Sequence, residues 1–115
     1  MIFRTSKHKF NAKPQICDEK HFSSKLEASY YKVLKLAQSA KERPLMFFLR
    51  QVPFDLPGNI TYRLDFMEFW APKEGELTGD IIFTEVKGFM TTEAKIKIAQ
   101  VEEIYGININ IVKKI

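Results

Sequence analysis

The sequence predicts a small α/β domain, a mixed four-stranded sheet flanked by two helices, in the order helix, three strands, helix, strand. Three observations carry this. Segments 24–43 and 92–105 each begin with a capping residue and continue with apolar residues at helical spacing. Three strand-like runs lie between them, at 45–54, 60–70 and 81–87. Short turn and loop signals separate these runs, which makes them antiparallel neighbours. A last alternating run, 107–112, follows the second helix. A helical crossover sets it parallel to the strand before that helix.

Size and composition agree with one compact domain. The chain has 115 residues, of which 45% are apolar and 13% aromatic, including ten Phe. That is a globular composition with enough material for a core. No apolar run reaches the length of a membrane span, so no membrane role is expected. The net charge of +4 is mildly basic and compatible with a nucleic-acid partner. Cys17 is single, which excludes an internal disulfide and a cysteine-based zinc site. The first residues lack the apolar core of a signal peptide. The expectation is an intracellular, cytoplasmic chain.

Residues 1–22 read as a basic N-terminal arm, and 23–115 as a single domain. The arm carries Arg4, Lys7, His8, Lys9, Lys13, Lys20 and His21 against Asp18 and Glu19, and Pro14 breaks any helix. It is either a solvated arm or loose hairpin, or a segment that follows a phosphate backbone. The spacing of His8 and His21 matches no metal-ligand pattern.

The first helix starts at Ser23 or Ser24, with Glu27 placed as a capping-box acid. Leu26, Tyr30, Val33, Leu34 and Ala37 form its apolar face, and it runs to about Arg43, before Pro44. Capping alone explains Glu27. The strand over 45–54 contains Pro53, which suits an edge. Leu56-Pro57-Gly58-Asn59 is a turn. The strand over 60–70 alternates, with Thr61, Arg63, Asp65 and Met67 on one side and Tyr62, Leu64, Phe66 and Glu68 on the other. Asp is depleted in strand interiors, so Asp65 is either solvent-facing or functional.

A polar loop, 72–80, leads to Ile81-Ile82-Phe83-Thr84-Glu85-Val86-Lys87-Gly88. Glu85 and Lys87 share a strand face. They are either a surface ion pair or part of a site. Thr91 or Thr92 caps the second helix, with Ala94, Ile98, Val101 and Tyr105 inside and Lys95, Lys97, Glu102 and Glu103 outside. Gly106 is its C-cap.

This order allows Glu27, Asp65 and Glu85 to meet at one end of the sheet, with Lys87 beside them. Oxygen ligands of that kind suit Mg2+ or Mn2+. A neighbouring lysine can orient water or stabilise charge on a phosphate. Asp65 followed by Glu85-Val86-Lys87 resembles the PD-(D/E)XK nuclease motif, with Glu27 in the place of that superfamily's helix acid. Phe22-Ser23-Ser24-Lys25-Leu26-Glu27, Thr61-Tyr62-Arg63-Leu64-Asp65-Phe66 and Thr84-Glu85-Val86-Lys87-Gly88 are similar to segments of small phage and prophage nucleases. These include the endonuclease I type of Holliday-junction resolvase. The resemblance covers roughly residues 20–112. It departs at Leu64, where the proline that names the motif is missing.

The resemblance implies a restriction-endonuclease-like α-β-β-β-α-β core and a phage-encoded endodeoxyribonuclease acting in the host cytoplasm on branched DNA such as Holliday junctions. It implies metal ligation by Asp65 and Glu85, ligation or water-mediated contact by Glu27, a carbonyl ligand from Val86, and a catalytic role for Lys87. Resolution of a junction implies a homodimer, since two strands are cut about a near two-fold axis. Lys9, Lys13, Lys95 and Lys97 are expected to flank the acids and hold DNA. The competing reading is a nuclease-like fold that binds DNA or a host protein without cleaving.

Overall fold

The structure, a computed structural model, describes residues 15–115. A small hairpin of β1 (Gln15–Cys17) and β2 (Lys20–Phe22) precedes α1 (Lys25–Ala37). Then come β3 (Leu45–Leu56), β4 (Ile60–Trp70), β5 (Asp80–Val86), α2 (Thr92–Tyr105) and β6 (Ile109–Val112). The main sheet has the order β3-β4-β5-β6; the first two pairings are antiparallel and β5–β6 is parallel. The chain is therefore α/β with a mixed four-stranded sheet and two helices, as its element order predicts. Pro53 lies inside β3, an edge strand, where its missing N–H costs no ladder bond.

The helices cover opposite faces of the sheet. Ala28, Tyr31 and Leu34 of α1 pack with Phe22, Leu45, Phe66 and Val86. Ile98 and Val101 of α2 pack with Leu56, Tyr62, Leu64 and Ile109. Ser24 caps α1 by accepting from Glu27 N at 3.1 Å, and Thr91 caps α2 by accepting from Ala94 N at 3.0 Å. Gly106 ends α2 at φ 65°, a left-handed position that suits glycine.

Three expectations are corrected. First, α1 stops at Ala37, not near Arg43. Ala37 is the last residue of the helix to pack on the core, and Ser39 N and Ala40 N close the end on Leu36 O and Ala37 O. Val33, expected inside, is exposed, whereas Glu27 and Ala28 are buried. Second, two assignments on α2 change, Glu102 from the outside and Tyr105 from the inside. Glu102 accepts from Ile109 N at 2.8 Å. Tyr105 is partly exposed, with its ring edge on Phe54 and its hydroxyl donating to Asp55 O.

Third, β4 does not alternate throughout. Phe66 packs on the α1 side, but Tyr62 and Leu64, of the same parity, pack on the α2 side. β3 switches likewise, between Phe48 on the α1 side and Val52 and Phe54 on the α2 side. The pairing runs Arg50↔Phe66 and then Val52↔Leu64, with an interruption where Gln51 faces Asp65. Gln51 has φ 53°, outside strand geometry. The break in the hairpin falls on Asp65.

The described part of the basic segment is a built hairpin. Asp18 and Glu19 both have positive φ, as a two-residue primed turn requires. Phe22 is fully buried against Tyr31, and the Arg50 guanidinium lies over its ring at 4.0 Å while donating to His21 O. Phe22→Ala is expected to destabilise the domain by about 3–5 kcal/mol in urea unfolding. A change below about 1 kcal/mol would mean that the hairpin is peripheral to the core.

Candidate functional site

Each acid reaches the site for a local reason. Glu27 enters in the first turn of α1. Its Oε1 accepts from Ser23 Oγ at 2.7 Å and from Ser23 N at 3.3 Å, which closes the helix start. Its Oε2 points the other way, to Gln51 Nε2 at 3.2 Å and Arg50 Nη2 at 3.6 Å. The capping acid and the candidate site acid are the same residue, using different oxygens.

Asp65 sits where β4 parts from β5 and where its pairing with β3 is interrupted. The β4–β5 ladder extends to Phe66↔Thr84, and beyond it side chains take over. Val86 N donates to Asp65 Oδ2 at 2.9 Å, and Asp65 N donates to Glu85 Oε1 at 3.4 Å. Gln51 Nε2 donates to Asp65 Oδ1 at 3.3 Å. The Tyr62 hydroxyl donates to Glu85 Oε1 at 2.6 Å, and Lys87 Nζ lies 3.9 Å from Glu85 Oε2. Glu27, Asp65 and Glu85 are 1%, 8% and 3% exposed, while Lys87 is out at the solvent edge.

Three buried carboxylates so close together repel. Burial, and then the charges of Glu85 and Glu27, push the Asp65 carboxyl well above its ordinary value of 3.8. The Val86 N–H and Lys87 oppose this without cancelling it. Burial also raises Glu85, against the Tyr62 hydrogen bond and the Lys87 charge. The Tyr62 hydroxyl is pushed up by burial and by Glu85, so it stays a donor. Glu68 makes a contrast. It is equally buried, but the Tyr30 hydroxyl at 2.6 Å and Trp70 Nε1 at 2.9 Å satisfy one oxygen each. It reads as a paired core group.

The structure thus gathers Glu27, Asp65, Glu85 and Lys87, which come from three separate elements. It does not set the three acids as a finished cage: among the described residues no group of three or more His, Cys, Asp or Glu side chains is already arranged to hold a metal ion. Ser23, Tyr62 and the Val86 N–H each hold one carboxylate, and Gln51 Nε2 bridges Glu27 and Asp65. The donor set itself is all hard oxygen and carries excess negative charge, which fits Mg2+ or Mn2+ and not a soft metal. The Val86 side chain is in the core of the α1 face.

The basic residues fare differently. Lys95 is exposed on α2, and Lys97 is paired with Glu93 at 3.0 Å, a pair that lowers its availability to a phosphate. Lys9 and Lys13 lie outside the described residues. Gln51, Tyr62 and Arg50 escaped the sequence reading. A glutamine in the middle of the apolar run 45–54 was the one available signal, and it is ambiguous on an edge strand. Comparison with protein-family models, curated proteins and solved structures finds no match to this chain.

The crowding has a pH signature. With its carboxyl raised, the folded protein keeps a proton on Asp65 above pH 3.8, where the unfolded chain has lost it. Folded stability therefore falls as pH rises through that window. In chelator, the melting temperature of the parent is expected to drop from pH 4 toward neutrality. Asp65→Asn should flatten the drop and melt above the parent at pH 8, with the gap closing near pH 4. Parallel curves for the two proteins would mean that the Asp65 charge is not strained by the fold.

Proposed function

We propose that this chain is a divalent-metal-dependent endodeoxyribonuclease of the PD-(D/E)XK kind, phage-encoded and acting on branched DNA. The observation that carries the reading is the convergence of Glu27, Asp65 and Glu85 with Lys87 where the sheet opens at Asp65. Chance acids on a sheet would be solvated and apart. These are buried and adjacent, with Arg50 3.6 Å from Glu27 and Lys87 3.9 Å from Glu85 but no ion pair to Asp65 among the described residues, an arrangement that costs stability and calls for a compensating role. The element order from α1 to β6 supports a restriction-endonuclease-like core.

In this reading Asp65, Glu85 and Glu27 hold Mg2+ or Mn2+, with the Val86 carbonyl as a further oxygen donor. The bound cation supplies Lewis-acid polarisation of a phosphodiester oxygen and offsets developing negative charge. Lys87 presents Nζ at the solvent edge, where it would orient the attacking water or steady the phosphate. Glu85, 3.9 Å from that Nζ, positions the lysine. Tyr62, permanently a donor, fixes Glu85 Oε1 and leaves Oε2 toward Lys87. Cutting both strands of a junction calls for a homodimer, each copy bringing one site. A cytoplasmic location follows from the substrate.

Asp65→Asn should abolish cleavage in Mg2+, by at least about 100-fold, while the protein stays folded. In Ca2+, which supports binding without turnover, its DNA affinity should hold or rise, because one negative charge is gone. Lys87→Ala should also lose cleavage, but its affinity should hold or fall. Binding of every variant should weaken steeply with salt. A folded Asp65→Asn protein that cuts at the parental rate would sink the reading. The non-catalytic alternative predicts salt-sensitive binding with no cleavage by the parent.

A further inference from the structure

Gln51 stands between two of the acids. It lies halfway along β3, half-buried, with φ 53° in the left-handed region that a non-glycine residue adopts only when its surroundings impose it. It interrupts the β3–β4 ladder opposite Asp65. One nitrogen, Nε2, reaches both Glu27 Oε2 at 3.2 Å and Asp65 Oδ1 at 3.3 Å. Carboxylates accept only, so the amide must turn its N–H2 toward them. A neutral amide relieves their repulsion by orienting a dipole, without cancelling their charge.

We propose that Gln51 is a reversible fourth side-chain ligand of this site, beside the three acids and the Val86 carbonyl, its amide nitrogen holding Glu27 and Asp65 without metal and its amide oxygen facing the cation when one is bound. The inference rests on the reading of Glu27 and Asp65 as cation ligands. A cation takes the same two oxygens that Nε2 now contacts, so the N–H2 group cannot remain there. Half a turn about the terminal torsion, a soft two-fold rotor, exchanges N–H2 for Oε1. Oε1 is a hard, neutral oxygen of the kind Mg2+ and Mn2+ accept. The backbone at Gln51 needs no rearrangement, because it already aims the side chain at the gap between the acids.

The test uses the full chain and Mn2+ alone, by titration calorimetry without DNA, on the parent, Gln51→Met and Gln51→Glu. Methionine keeps the length but has neither donor nor hard acceptor. It should lower Mn2+ affinity about tenfold or more, within the range seen when groups around a metal site are lost. Glutamate adds a fourth charge. It should lower the melting temperature in chelator, bind Mn2+ more tightly than the parent, and regain its melting temperature when Mn2+ is added. A residue that only supports the fold would not make affinity move in opposite directions in these two variants. If Gln51→Met binds Mn2+ as well as the parent or better, Gln51 is only a donor and the inference fails, while the nuclease reading stands. Should Gln51→Met not fold, Gln51→Glu decides: affinity equal to or below the parent's overturns the inference. If the parent binds no Mn2+, the nuclease reading fails and takes this role with it.

Discussion

The repulsion among three buried carboxylates shapes this molecule's centre. Glu27, Asp65 and Glu85 arrive from a helix and two strands, and each sits inside the protein. Ionised groups in such a place require donors, and the local architecture is largely a way of supplying them. Ser23 serves Glu27, Tyr62 serves Glu85, and the Val86 N–H serves Asp65. Gln51 leaves strand geometry and reaches two of the acids at once. The ladder is broken opposite Asp65, and the two long strands exchange the faces they present to α1 and α2. A core-facing alternation through this point would have kept β3 and β4 regular.

Glu27 shows how one residue can serve fold and site together. As a capping acid it needs one oxygen at the start of α1, and Ser23 takes it. The second oxygen is then directed inward at no further cost in side-chain freedom, since the first hydrogen bond has already fixed the rotamer. Arg50 reinforces this from the other side. It spans Phe22, the His21 carbonyl and the neighbourhood of Glu27, so the small hairpin is tied to the strand that carries Gln51. Capping and ligation were competing explanations of Glu27 only as long as its two oxygens were treated as one group.

Much of this was legible in the sequence. Both caps, the Gly106 stop, the edge position of Pro53 and the mixed sheet follow from local chemistry that the tertiary fold does not override. The approach of Glu27, Asp65 and Glu85 followed from element order. The rest was hidden for physical reasons. Period-two reading assumes an unbroken strand, so the face switch at Asp65 could not be seen. Gln51 carries no pattern of its own, because its role depends on a backbone angle that glutamine rarely adopts. The hairpin before α1 is two three-residue strands, too short for periodicity, and its Asp18-Glu19 turn lacks the usual Asn-Gly signature. The pairing of Lys97 with Glu93 is a four-residue spacing that could have been read, and it weakens the expectation that Lys97 grips DNA.

If this cluster of acids does metal-dependent chemistry on DNA, as proposed, cleavage must depend on the cation. The decisive measurement incubates the purified chain with a four-way junction, a flapped duplex and a linear duplex, in Mg2+ and in chelator, and resolves the products on a denaturing gel. Strand cleavage in Mg2+ that disappears in chelator, fastest on the junction, is the expected result. Intact DNA in Mg2+ and in Mn2+, from protein shown to be folded, would contradict it.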